Sequence, residues 1–218
     1  MADINVKSAQ HYLKLWEEDP GSFNSADWDI AYNDVSRAIN QDPRNPELFI
    51  LLGNLQEWKI FNVNDESNKE HQLSMALKNY RKAASLRPAW PFTWNHIVLV
   101  KYRLGEIDDE FNVALENSLN TGPWEPGVQQ VAAEVGLRTW KMLDSGMREK
   151  IVRNIHRGLS LQPERIMKIL KKYDRLYLVC YQGNNEPVIS GYCGQDSVPP
   201  GKAFNSTQLK LSEQLKNP

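Results

Sequence analysis

Two segments, AYNDVSRAINQDP at residues 31–43 and ALKNYRKAASLRP at residues 76–88, share one spacing, and that spacing decides the fold. Each runs from an alanine to a larger apolar residue, to a second alanine, to a proline. The sets are Ala31, Val35, Ala38 and Pro43, then Ala76, Tyr80, Ala83 and Pro88. Steps of three and four residues fall on one face of a helix, where two small side chains let a neighbouring helix come close. The proline, lacking an N–H and crowding the turn before it, stops the helix.

The pattern extends outward from both stops. Phe49, Leu52 and Gly53 follow the first; Trp94, Ile97 and Val98 follow the second, with Gly105 at the next turn. Together these positions resemble the tetratricopeptide repeat, a helix pair of ~34 residues. The resemblance implies an all-α fold, an α-α superhelix of stacked pairs. Two departures stand out: surplus residues in Phe61 to Gln72 (FNVNDESNKEHQ), read as a loop or a lengthened helix end, and Glu110 where a third repeat wants a small residue.

Apolar spacing and stop signals predict helices over Val6 to Glu18, Ala26 to Gln41, Pro46 to Lys59, Glu70 to Leu86, Pro91 to Leu104, Ile107 to Asn120, Trp124 to Met142, Gly146 to Leu161 and Pro163 to Tyr173. Beyond them, Leu176 to Tyr181 and Val188 to Tyr192 flank a Gly-Asn-Asn turn at Gly183 to Asn185 and read as a small C-terminal β-hairpin. The expected organisation is a helical domain over 1–175, the hairpin over 176–193 and a polar, flexible tail over 194–218.

Length and charge narrow the classes. A chain of 218 residues has room for one domain with a real core. With 41% hydrophobic and 24% charged residues it has the composition of a folded globular protein. A formal charge of -1 offers no net field for phosphates, so nucleic acid is not an expected partner. No stretch approaches the ~20 apolar residues that cross a bilayer, and Met1 to Val6 is too polar for a signal peptide. A membrane anchor enters the reading only if the N-terminus is truncated.

Cys180 and Cys193 flank the hairpin turn closely enough to bridge in an oxidising compartment, or to stay as two thiols in a reducing one. Their spacing is not that of a redox CxxC pair, and four histidines in all leave no zinc pattern. Neither metal nor cofactor is expected.

No phosphate loop, nucleophile elbow, HExxH or dinucleotide fingerprint occurs. Asp108, Asp109 and Glu110 are the densest acid cluster, and paired carboxylates could hydrolyse a glycosidic bond. Acids in the first turn of a helix also complement its dipole without chemistry. His96 reads as a core or groove histidine, with no nucleophile at motif spacing. Arg148, Lys150, Arg153 and Arg157, then Lys168, Lys171, Lys172 and Arg175, read as solvated basic faces, with anionic lipid or acidic polysaccharide as the functional alternative.

The runs LRPAWPFTW, GEIDDEF and GPWEP, and the helix ending in GLRTW, are similar to the VpsP-type polysaccharide biosynthesis accessory proteins. That resemblance implies a periplasmic or envelope protein, and with it an oxidised Cys180 and Cys193 pair. The expected function is a non-catalytic scaffold holding a protein or peptide of a polysaccharide assembly or export system. A general cytosolic adaptor and a carbohydrate-active enzyme using Asp108, Asp109 and Glu110 are the alternatives. Expected partner contacts are the polar residues Asn54, Glu57, Asn95 and Lys101, read as the exposed face of first helices. Trp90, Trp94 and Trp124 lie at the proline-marked junctions, where rings wedge between helices or stack on carbohydrate.

The repeat register makes one direct prediction. Ala83→Leu overpacks a helix contact and lowers stability by ~1–3 kcal/mol in a urea titration; an unchanged midpoint places Ala83 outside that contact.

Overall fold

The computed structural model describes residues 2–62 and 65–180, and every element among them is helical. Ten α-helices follow one another: α1 (Ala2–Glu18), α2 (Ser25–Gln41), α3 (Pro46–Lys59), α4 (Glu66–Leu86), α5 (Pro91–Leu104), α6 (Asp109–Thr121), α7 (Pro126–Arg138), α8 (Ser145–Leu161), α9 (Pro163–Lys172) and α10 (Tyr177–Cys180). Short 3₁₀ turns cover Pro20–Ser22 and Ile60–Asn62.

Starts and stops follow local chemistry. Prolines open α3, α5, α7 and α9, where a missing N–H costs nothing. Asn24, Asp65, Asp108 and Asp144 cap α2, α4, α6 and α8 by accepting first-turn N–H bonds. Asp65 accepts from Ser67 and Asn68, so α4 begins at Glu66 rather than Glu70 and absorbs much of the surplus segment. Gly105 closes α5 in the left-handed region at φ 75°, and the Glu106 N–H then reaches the Lys101 carbonyl. α7 ends at Arg138 instead of Met142, and there the Thr139 hydroxyl donates to the Val135 carbonyl.

The expected hairpin needs correction. Asp174 turns left-handed at φ 52°, a conformation a short polar side chain tolerates, and the Arg175 N–H bonds back to the Leu170 carbonyl. The Leu178, Val179 and Cys180 N–H groups then find carbonyls three or four residues back, which makes a helical turn and leaves no strand ladder. Residues 181–218, holding the rest of the hairpin, Cys193 and the tail, lie outside the described residues.

The helices divide into two compact units, Met1–Gly122 and a second beginning at Pro123. In the first, α1 pairs with α2, α3 with α4 and α5 with α6, while α3 also packs on α2 and α5 on α4. Ala9, Leu13 and Trp16 of α1, Trp28, Ala31 and Val35 of α2, and Leu51 and Leu55 of α3 form one buried cluster. The Trp28 indole N–H donates to the Leu55 carbonyl at 2.6 Å, fixing the ring inside it. In the second unit α7 pairs with α8, and α9 packs on both.

Burial shows two further copies of the founding pattern. Phe111, Leu115, Ser118 and Pro123 have the spacing of Ala76, Tyr80, Ala83 and Pro88, and so do Ile151, Ile155, Gly158 and Pro163. The three helix positions of each set are buried. Glu110 therefore stands one residue ahead of the third set's register, and its failure to be small has no bearing on the repeat. Ala31, Ala38, Ala76 and Ala83 are all fully buried, as close helix approach requires.

The tightest approach is that of Gly53 to Tyr80. A β-carbon at Gly53 would lie 2.4 Å from Tyr80 Cε1, and the ring is fully buried and cannot retreat. Gly53→Ala is expected to lower stability by ~1–3 kcal/mol in urea unfolding, unlike the same change at an exposed helical glycine, where alanine stabilises. A gain in stability would show that α3 and α4 can separate.

Candidate functional site

Within the first unit, the first helices of the three pairs bring one face together. Glu17 of α1, Asn54, Glu57 and Trp58 of α3, Phe61 just beyond it, and His96, Leu99 and Arg103 of α5 line an open groove of about 300 Å³. The α3 contributions fall at steps of three and four, as do His96, Leu99 and Arg103, so each set occupies one helical face.

The groove floor is ordered by a buried tyrosine. The Tyr80 hydroxyl reaches up from α4, 2.7 Å from Asn54 Oδ1 and 2.6 Å from Glu57 Oε1. It carries one proton and donates to one of them at a time. Burial, then the Glu57 charge, hold its pKa well above the ordinary tyrosine value. Glu57 also pairs with Arg103 across the groove. The His96 ring stacks on Tyr80 with centroids 4.6 Å apart, and its Nδ1 stands 4.0 Å from Glu57 Oε1. Burial lowers the His96 pKa against the pull of Glu57, so the imidazole is neutral at physiological pH.

The other wall is aromatic. Trp58 and Phe61 stack at 4.6 Å, Trp58 also stacks on Phe23, and Trp16 meets Phe23 edge-on at 4.8 Å. Phe61, at the open end, is 61% exposed. The groove thus offers one apolar platform beside a fixed set of amide, carboxylate and guanidinium groups.

Of the sequence-predicted contacts, Asn54 and Glu57 line this groove, while Asn95 and Lys101 do not. Asn95, only 5% exposed, accepts from the Ser118 hydroxyl at 2.5 Å and ties α5 to α6. Lys101, 1% exposed, sends its ammonium to Glu106 (2.7 Å), Asp108 (2.9 Å) and Glu110 (3.0 Å). Trp94 donates its indole N–H to the Pro88 carbonyl, the same junction bond that the Gln129 amide makes to the Pro123 carbonyl six residues before it. Trp90 and Trp124 are solvent-facing, with the Arg87 and Arg157 guanidinium groups over their rings. Cys180 ends α10, and the Cys193 expected to pair with it lies outside the described residues. Trp58, Phe61, Leu99 and Arg103 were missed, although their spacing from Asn54, Glu57 and His96 was available to find them.

Two of the three clustered acids, Asp108 and Glu110, are held in ion pairs. Asp108 caps α6 through the Phe111 N–H, and Glu110 takes a two-pronged bond from Arg81 besides its Lys101 contact. The Phe111 N–H and Lys101 hold Asp108 below the usual carboxylate range; the Arg81 fork and Lys101 do so for Glu110 against its partial burial. A general acid for glycoside hydrolysis needs the opposite shift. Among the described residues no group of three His, Cys, Asp or Glu side chains could hold a metal. No described helix is long and apolar enough to cross a membrane.

Comparison with solved structures points the same way as the helix pairing. A thermophilic tetratricopeptide-repeat protein of Thermus thermophilus matches with a TM-score of 0.53 over 79% of this chain and 97% of its own, at 16% sequence identity. The fold is therefore a tetratricopeptide-like helical repeat. No family model and no curated protein matches.

The Lys101 cluster gives the stability a definite pH dependence. Burial alone would lower the Lys101 pKa, but bonds to the three carboxylates outweigh it and hold it above the ordinary value. Its contribution is present below the unfolded value of about 10.4 and fades as pH rises through the folded one. Asp108 and Glu110 contribute above about pH 4 and lose that contribution as pH falls through their lowered values. Lys101→Met is expected to cost ~1–3 kcal/mol at neutral pH and to flatten the acid arm of a denaturation-against-pH series. A parallel curve for the variant would separate the cluster from stability.

Proposed function

We propose that this chain is a non-catalytic scaffold whose groove between α1, α3 and α5 holds an extended segment of a partner protein. The observation that carries the reading is the groove itself. Three consecutive first helices present an exposed aromatic platform beside polar groups already oriented by Tyr80 and Arg103, the combination that fixes a peptide by one apolar anchor and a few directed hydrogen bonds. Helical repeats offer such surfaces by their geometry.

The finer setting, envelope polysaccharide biosynthesis or export in or near the periplasm, rests on the similarity of LRPAWPFTW, GEIDDEF, GPWEP and GLRTW to the VpsP-type accessory proteins. Carbohydrate enters this reading through Trp90 and Trp124, whose rings are part-exposed beside the Arg87 and Arg157 guanidinium groups. The partner in the groove is then a protein of that system.

The test is affinity capture from the native host with the full chain, its Phe61→Ala/Arg103→Glu variant, and Asp108→Asn. Phe61 is exposed, but Arg103 pairs with Glu57, so the double change is expected to lower stability by ~1–2 kcal/mol while keeping the helical circular dichroism. It should abolish partner capture and reduce polysaccharide output, while Asp108→Asn does neither. Undiminished capture by the groove variant, with output lost in Asp108→Asn, would replace the scaffold with an enzyme.

A further inference from the structure

The formal charge of -1 is a sum over segments of very different balance. Residues 2–122 carry twelve Lys and Arg against eighteen Asp and Glu, while residues 123–180 carry eleven against six. The excess positive charge of the second half concentrates on α8 and α9.

On α9, Arg165, Lys168 and Lys172 lie along the face opposite the buried Ile166, Met167 and Leu170. The three repeat at about one helical turn, with offsets of about 4.5 and 10.5 Å along the axis. One end of this face is already engaged within the chain. Lys172 pairs with Glu134 of α7, and the Tyr173 hydroxyl donates to the same carboxylate oxygen at 2.6 Å. One turn away no second carboxylate is engaged among the described residues. Arg165 meets a neutral amide oxygen, Gln130 Oε1 at 3.1 Å. Lys168 stands exposed and forms no ion pair among the described residues, although Glu164 precedes it by one turn.

We propose that Arg165 and Lys168 form the open part of a carboxylate-binding face on α9, which takes an acidic segment of a partner protein. Charge complementarity selects the occupant, because Arg165 and Lys168 are cations that form no ion pair with a carboxylate among the described residues. An arginine fork fits a carboxylate in two parallel bonds, and Lys168 adds a mobile point charge. Alternate side chains of an extended segment, ~6.6 Å apart, span the step between the two cations. This surface shares no residue with the α1–α3–α5 groove.

The test is fluorescence anisotropy of a fluorescein-labelled octaglutamate peptide titrated with the full chain at low salt. Saturable binding is expected, weakening about fivefold or more in Arg165→Gln/Lys168→Gln and unchanged in Phe61→Ala. If the double variant loses its helical circular dichroism, Lys168→Gln alone, at an exposed side chain, carries the measurement and should weaken binding about twofold or more. Absence of binding, or binding indifferent to these changes, overturns the proposal. So does tighter binding of phosphatidylglycerol vesicles or oligothymidylate through the same two side chains, which would assign the face to lipid or nucleic acid. Loss of octaglutamate binding in Phe61→Ala would place the acidic segment in the groove instead.

Discussion

The contact between Gly53 and Tyr80 is the constraint on which the first unit depends. A glycine on α3 faces the ring at a distance that no β-carbon could share, so the α3 backbone lies directly against the Tyr80 ring. That closeness carries the ring through the pair, and its hydroxyl emerges beside Asn54 and Glu57. One side chain thus joins packing to the site. The second unit repeats the device at Gly136, which meets Ile151, and at Gly158, which meets Ile166.

Lys101 holds the end of the same array by a different force. A lysine only 1% exposed is costly to desolvate unless its charge is met, and here three carboxylates meet it. Because Glu110 also takes the Arg81 fork, the cluster links α4, α5 and α6. Asp108 and Glu110, which read as part of a candidate catalytic cluster in one dimension, join Glu106 as the counter-charges of a buried ammonium in three. The groove keeps its own polar groups, and the two sets share no residue.

Charge behaves differently at the level of the chain and of its parts. Summed charge excludes a strongly basic or acidic protein, but salt screens fields beyond ~10 Å, so a partner meets the local balance and not the sum. The basic excess of residues 123–180 and the acidic one of residues 2–122 are therefore local properties that the sum conceals.

The order of helices, their proline stops and two of the repeat registers were legible in the sequence because alanine at offset seven and proline at offset twelve are local signals. The other two registers place Phe111 and Leu115, or Ile151 and Ile155, where the founding sets have Ala and Val or Tyr, and only burial showed that bulk can stand there. The groove was half legible. Asn54 and Glu57 belong to it, but Asn95 and Lys101 do not, since one residue is about 100° of helix and Asn95 sits that far round from His96. Leu176 to Cys180 has the composition of a strand, yet the reversal at Asp174 gave its N–H groups carbonyls within one turn. Local spacing by itself determined that this chain folds as helix pairs. Which polar side chains face solvent, a buried ion cluster or a groove was decided by tertiary structure, because that depends on where neighbouring helices lie and not on residues adjacent in the chain.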